Sequence, residues 1–268
     1  MKKIVWLTDT HLTLSFLWKK YVLVKHLKKI DADALILTGD ISNGLFIDYV
    51  LYYIASHVNI PIYYVNGNHD RMYKDFDDSS DDLRAISRSF ANFHWLDEEG
   101  FLKLNSETAI IGVDGWYSWL KCIESRIAFT LDWLLISNFR KLKSMAERVS
   151  AFRKLSKDSA EAIEPKLLGA IKAGYKTIYL ATHYPPFRET NMHKGKWFEA
   201  ERNAYDTNDY LGEKLKDIMS QYLDIKLIVL AGHSHIKVNA KISDNIECRV
   251  NNANYFNVSF KNEEIIIL

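Results

Sequence analysis

The sequence predicts an α/β protein of two packed sheets with helices on the outside, and three observations carry that expectation. In the first third of the chain, short apolar runs alternate with amphipathic stretches at helical spacing. After residue 235 the pattern changes to several short strands in succession. Between these halves lies a long helical stretch, 116–173, unusually rich in aromatic residues. An αβ half followed by a β-rich end is the layout of two sheets covered by helices.

Taken in order, Ile4-Val5-Trp6-Leu7 is the first strand. Residues 17–30 place Leu17, Val24 and Leu27 at helical spacing with lysines elsewhere, the pattern of an amphipathic helix. A strand at 34–38, a helix over 46–56 and a strand at 61–65 follow. Residues 75–92 read as helix, opened by Asp77-Asp78-Ser79-Ser80-Asp81-Asp82, an acidic run suited to the positive end of a helix. Strands are expected near 101–104 and 108–113, the second ending in Asp114-Gly115. The stretch 116–173 carries Trp116, Trp119, Phe129, Trp133 and Phe139. It fits either outer helices packed on a sheet or a cap leaning over the strand ends. A strand at 177–181, a helix over 209–222 and a strand at 226–231 restore the alternation. Strands at 236–242, 246–250, 255–260 and 264–268 close the chain.

The 268 residues contain 11 Gly and 4 Pro with no linker-like run, so a single domain spanning 1–268 is expected. Hydrophobic residues make up 48% and charged ones 26%, enough apolar material for a sizeable core. A formal charge of +1 gives no overall attraction to nucleic acid or to an anionic membrane. Two cysteines, Cys122 and Cys248, are too few for a disulfide framework. The apolar run after the charged start Met1-Lys2-Lys3 is far shorter than the roughly 7–15 residues of a signal peptide core. No stretch approaches the roughly 20 apolar residues of a membrane span. A soluble cytoplasmic protein is the expectation.

Chemistry concentrates at five strand ends. The first strand leads into Asp9-Thr10-His11, the second into Gly39-Asp40 and the third into Gly67-Asn68-His69-Asp70. Later strands lead into His183 and into Gly232-His233-Ser234-His235. Asp9, Asp40 and Asn68 follow one another at intervals of 31 and 28 residues, each the length of one βαβ unit. Right-handed crossovers set such strands side by side with their carboxyl ends on one edge, where α/β sheets bind ligands. Carboxylates, an amide and imidazoles brought to one small volume form a metal site with donors enough for two ions. Mixed oxygen and nitrogen donors without thiolate suit Mn²⁺, Fe, Zn²⁺ or Ni²⁺ better than Ca²⁺ or Mg²⁺. Two ions about 3.5–4 Å apart clamp the attacking and leaving oxygens of a displacement, and draw the pKa of a bridging water from about 15.7 towards about 7.

The five blocks, in this order, resemble the calcineurin-like metallophosphoesterases over residues 4–235. That resemblance implies a four-layer αββα sandwich of two mixed sheets, with a binuclear centre whose bridging hydroxide attacks a phosphoester. It assigns Asp9, His11 and His235 to a first ion, Asn68, His183 and His233 to a second, and Asp40 to both. His69 would steady the phosphoryl charge or protonate the leaving alkoxide, with Asp70 orienting its ring. His193, Lys194 and Arg202, in the polar stretch after His183, are candidate substrate contacts because basic donors can hold a phosphate.

The wording of the blocks bears on the substrate. Gly39-Asp40-Ile41-Ser42-Asn43-Gly44 has no arginine after the acid, and the third block ends in Asp70. Both depart from the protein phosphatases of the superfamily. Lipid A precursor hydrolases carry Arg where His69 stands. The blocks look most like the bacterial cyclic-nucleotide and glycerophosphodiesterase branch, although Ser42 and Asn43 replace its usual Thr-Asp. A small-molecule phosphodiester is therefore the expected substrate. A phosphomonoesterase, a DNA-processing nuclease with nucleic acid as partner, and a non-catalytic scaffold are the alternatives. Scaffolds of this fold typically lose ligands, and here none is missing.

Overall fold

A computed structural model describes residues 1–13, 18–118, 130–193, 196–197, 206–252 and 264–268. In chain order it begins β1 (Lys3–Leu7), α1 (Lys19–Lys29), β2 (Ala34–Thr38), α2 (Ile47–His57), β3 (Ile62–Val65), α3 (Phe76–Ser89) and β4 (Phe93–Trp95). β5 (Leu102–Lys103) and β6 (Thr108–Gly112) come next, then three helices, α4 (Asp132–Leu135), α5 (Ser137–Arg140) and α6 (Met145–Lys172). β7 (Thr177–Ala181), the short pair β8 (Met192–His193) and β9 (Lys196–Trp197), and α7 (Asp209–Met219) follow. β10 (Lys226–Ala231), β11 (Val238–Lys241), β12 (Ile246–Val250) and β13 (Glu264–Ile267) end the chain.

One sheet has the order β13-β1-β2-β3-β4, with β1 to β4 parallel and β13 antiparallel beside β1. The other has the order β11-β12-β10-β7-β6-β5, in which β12, β10, β7 and β6 are parallel and the two edge strands antiparallel.

Side-chain alternation along each strand builds three cores at once. Ile4 and Trp6 of β1, Ala34 and Ile36 of β2, and Tyr63 and Val65 of β3 face Tyr179, Ala181, Ile228 and Leu230 of the other sheet. Their neighbours Val5, Leu7, Leu35 and Leu37 turn outward beneath Leu23, Leu27, Val50, Ile54, Leu83 and Ile86 of α1–α3. On the far side Ile178, Leu180, Leu227 and Val229 pack beneath Ile163, Leu167, Leu211 and Leu215 of α6 and α7. The result is the expected four layers, helix–sheet–sheet–helix. Strands covered on both faces need apolar residues at every position, which is why they appear as continuous apolar runs. Each fully buried Leu or Ile contributes roughly 1.5–3 kcal/mol.

The helices start where local chemistry directs. The Asp75 side chain accepts the Asp78 N–H at the start of α3, with Asp77 and Asp78 in the first turn. Ser144 and Glu147 form a reciprocal capping box at the start of α6. Asn208 caps α7 by accepting the Leu211 N–H, and receives the hydroxyl of Ser156 from α6.

Some of the expected bounds need adjustment. The helix expected over 75–92 ends at Ser89, and Phe93–Trp95 joins the first sheet as β4. Asn92 makes the turn, its amide donating to the carbonyls of Ala55, Val58 and Ile60. The strand expected over 236–242 spans only Val238–Lys241. Leu17, Trp119, Phe129 and the strand expected at 255–260 lie outside the described residues. Among the described residues of 116–173, α4, α5 and α6 are helical. Trp116, Tyr117, Trp133, Phe139 and Phe152 gather there into one cluster with Met72 and Tyr184. No described helix is long and apolar enough to cross a membrane.

Candidate metal centre

Three strand ends turn sharply before delivering their side chains. Asp9 and His11 after β1, Asp40 after β2, and His233 and His235 after β10 all have positive φ, between 44° and 66°. Only two other described non-glycine residues, Asp31 and Tyr73, share that region, so the left-handed turns concentrate on the site. Asp and His tolerate such backbone better than most residues, and strain of this kind collects at functional sites. Hydrogen bonds hold the turns in step: Asp9 N–H donates to Gly39 O, His11 N–H to Asp40 O, and Gly232 N–H to His183 O. Gly67 permits a close approach, because a Cβ there would meet the Asp40 backbone nitrogen at 2.5 Å and the Asp40 carboxylate as well.

Asp9, His11, Asp40 and His235 each offer a donor atom, all within 4.8 Å of one another. His235 Nε2 lies 3.1 Å from Asp9 Oδ1, and His11 Nε2 lies 3.4 Å from His235 Nε2. Asp40 Oδ2 is 3.9 Å from His11 Nε2, while Asp40 Oδ1 is 3.5 Å from His183 Nε2. The two oxygens of Asp40 therefore face different ligand sets.

On the His183 side, Asn68 Oδ1 is 3.2 Å from His183 Nε2. His183 Nδ1 sits 2.9 Å from the Thr38 carbonyl. A carbonyl only accepts, so Nδ1 carries the proton and Nε2 presents its lone pair to the site. The His233 ring lies 5.2 Å from the His183 ring, and its Nε2 is 3.5 Å from Asp206 Oδ1.

Charge in this pocket is unevenly distributed. Burial holds His11 and His183 neutral, pushing each down from 6.5 to about 3. Burial also drives the Asp40 carboxyl well above the usual carboxylate range, and the neighbouring charges of Asp9 and Asp70 add to the effect. Asp9 moves the other way: burial would raise it, but the His235 hydrogen bond and the nearby imidazoles hold it far below that range. For His233, Asp206 outweighs burial and raises the ring. Neutral imidazoles with free lone pairs, around an aspartate whose negative charge lacks compensation, fit divalent cations.

His69 is the most open member of the set, with its side chain 32% exposed and Nε2 3.9 Å from Asp40 Oδ2. Its ring packs edge-on against His11 at 4.7 Å. The role expected of Asp70 is different from what the structure shows. Its oxygens accept from the N–H groups of Ser42 and Gly67 and from the Tyr64 hydroxyl, and no His69 ring contact is among these bonds. Asp70 braces the loops after β2 and β3 from within the fold. His193 pairs with Lys196 through the β8–β9 ladder, and Lys194 and Arg202 lie outside the described residues.

Three residues outside the set of candidates read from the sequence stand around the centre. Asp132 Oδ1 accepts the Asn68 amide N–H at 2.8 Å, and its Oδ2 accepts the Tyr117 hydroxyl at 3.1 Å. Asp114, at the end of β6, pairs with buried Arg71 at 2.6 Å and accepts the Asn66 N–H, joining the β3 and β6 ends. The Tyr184 ring lies 4.3 Å from that of His233. Asp114 alone had a signal, its place at a strand end before Gly115. Asp132 sits within an aromatic stretch, and only folding brings it near Asn68.

This chain belongs to the calcineurin-like phosphoesterases, whose sequence profile matches residues 2–237, and it is a metal-dependent hydrolase of phosphoesters. Its fold is shared with a phosphopantetheinyl hydrolase from Mycobacterium tuberculosis, at 13% identity and TM-score 0.63 over 93% of this chain and 88% of that one. A dimetal phosphatase from Danio rerio aligns at 10% identity and TM-score 0.57, over 94% and 87% of the two chains. The protein TT1561 of Thermus thermophilus aligns at 13% identity and TM-score 0.56, over 96% and 90%. No curated protein matches the chain in sequence.

Proposed function

We propose that the chain is a phosphodiesterase acting on a small phosphodiester, of cyclic-nucleotide or glycerophosphodiester type, with residues 1–268 working as one catalytic unit in the cytoplasm. The observation that carries the two-ion part of this reading is the division of Asp40, one oxygen facing His11 and the other facing His183. Asp9, His11 and His235 would hold one divalent ion and Asn68, His183 and His233 the other, with Asp40 between them. Such ions, Mn²⁺, Fe, Zn²⁺ or Ni²⁺ by donor type, supply Lewis acidity towards phosphoryl oxygens and acidify water.

The chain's own groups do the rest. His69, partly open to solvent, would hold the proton that departs with the leaving alkoxide. His193, Lys194 and Arg202 would add cationic donors for the phosphate or its substituent. The diester preference is supported by the block wording, which lacks the arginine of protein phosphatases and keeps His69 where lipid A precursor hydrolases have Arg.

The test is hydrolysis of bis-p-nitrophenyl phosphate after treatment with chelator and re-addition of Mn²⁺, Fe²⁺, Ni²⁺ or Zn²⁺ separately. Turnover that disappears with the chelator and returns with metal is expected. Preference for p-nitrophenyl phosphate would mark a phosphomonoesterase instead, and no turnover with any of the four would identify a scaffold.

A further inference from the structure

The amide of Asn68 has two unlike ends, and the structure gives each a different neighbour. Oδ1 lies 3.2 Å from His183 Nε2, on the side of the second ion, and Nδ2 donates to Asp132 Oδ1 at 2.8 Å. Asp132 begins α4, 64 residues further along the chain and inside the helical stretch that interrupts the αβ alternation. Its other oxygen accepts the hydroxyl of Tyr117, from the same stretch. The Tyr117 ring is in turn stacked on Phe152 of α6 at 4.6 Å and 19°. Asn68, Asp132 and Tyr117 are all buried.

An ionised carboxylate can only accept hydrogen bonds. Beside Asp132, the Asn68 amide is satisfied only with its NH₂ group turned to the aspartate. A half-turn would set oxygen against oxygen and bring a donor to the place where a cation needs an acceptor. Asp132 has a partner on each oxygen and lies outside the cluster of donor atoms around Asp9, His11, Asp40 and His235, and its hydrogen-bonded link to the centre runs through Asn68. The donors of the first half-site come wholly from the loops after β1, β2 and β10. The second half-site alone leans on the helical insertion.

We infer that Asp132, anchored by Tyr117, is a positioning residue that fixes Asn68 with Oδ1 towards the second ion, so that filling of this half-site depends on the insertion. The inference rests on the two-ion reading proposed above.

Titration of metal-free protein with Mn²⁺, followed by calorimetry and elemental analysis, tests it on the full chain. The wild type is expected to take up two ions. Asp132→Ala should bind the first as tightly as before and the second about 10–100-fold more weakly, the usual effect of removing a partner of a ligand. Asp132→Asn keeps a carbonyl for the Asn68 amide and should stay near the wild type. Tyr117→Phe should weaken the second ion alone, by less. Thermal melting of each metal-free variant separates these effects from loss of folding, and Tyr117→Phe with Asp132→Asn carries the test if the alanine variant does not fold. Wild-type affinity for both ions in Asp132→Ala, or in Tyr117→Phe where that variant replaces it, overturns the inference. So does Asp132→Asn weakening the second ion as much as alanine. A wild type that takes up fewer than two Mn²⁺ overturns the two-ion reading itself.

Discussion

The carboxylate of Asp9 accepts the backbone N–H of His233, at 3.0 Å to Oδ2, across 224 residues of chain. Asp9 follows β1 in one sheet and His233 follows β10 in the other, so the two sheets are tied at their carboxyl edges by this bond. Asp9 Oδ1 faces the His235 ring at 3.1 Å. One side chain therefore closes the seam between the sheets and offers an oxygen to the site. Ligand geometry and sheet packing are one problem here, and substitutions in the site should be read on both scales.

Asp40 is expected to matter more for metal content than His11. Its Oδ1 and Oδ2 face different ligand sets, whereas His11 belongs to one. Asp40→Ala should lower the Mn²⁺ bound per chain further than His11→Ala does, measured by elemental analysis. Both positions have similar left-handed backbone, so strain largely cancels in the comparison. Equal losses would show that Asp40 does not bridge.

His69→Ala should keep its metals and lose turnover. General-acid help is worth roughly 10²–10⁴-fold, and a defect of that size is expected with an alkyl leaving group. Nitrophenolate leaves with little help, so the defect should shrink on nitrophenyl esters. Metal analysis and the ratio of the two rates check this in a single preparation. A metal-depleted variant would make His69 a ligand, and equal defects would make it a phosphate-binding residue.

The fold was legible in the sequence because strands covered on both faces must be apolar throughout. Runs such as Leu35–Leu37 and Leu227–Leu230 mark them, and the regular spacing of Asp9, Asp40 and Asn68 marks parallel neighbours. β4 escaped because three residues, Phe93–Trp95, are too few to establish a period. Asp132 escaped for another reason. Its partner Asn68 lies 64 residues away, and no local pattern encodes a contact made only when a helical segment docks. Asp70 sits beside His69 in sequence, yet its hydrogen bonds turn it inward to Ser42, Tyr64 and Gly67. Adjacency in a motif did not predict direction.

Gly67→Ala should damage the centre without replacing a ligand. The added methyl would strike the Asp40 backbone and carboxylate, and backbone atoms cannot rotate away. A loss of about 1–3 kcal/mol in stability is expected, as for other overpacked sites, together with weaker Mn²⁺ uptake. Urea denaturation and metal titration check both. No change in either would show that the loop relaxes freely around the methyl.

Acid should weaken the metal-free protein partly through His11. Burial pushes this ring from 6.5 down to about 3, so the unfolded chain takes up a proton that the folded one refuses. Its contribution is fully present above pH 6.5 and is lost as pH falls towards 3, at up to about 1.4 kcal/mol per pH unit. His11→Gln cannot titrate. The difference in unfolding free energy between the two proteins should therefore shift in favour of the variant across that window. Urea denaturation at half-unit pH steps measures it, and a flat difference would mean the folded ring carries charge.

The left-handed backbone at Asp9, His11, Asp40, His233 and His235 has a consequence for the lifetime of the protein. Left-handed conformation costs an L-residue roughly 1–2 kcal/mol, which glycine avoids. Glycine at one of these positions would relieve that cost but remove a ligand, and at Asp9 it would also remove the bond that closes the seam. Metal uptake opposes the deficit, since an ion at 100 times its dissociation constant adds about 2.7 kcal/mol. A chain made in scarce metal stands closer to unfolding, and so to degradation, than one that has filled its site. The amount of this protein that survives should therefore follow metal supply even where its synthesis does not.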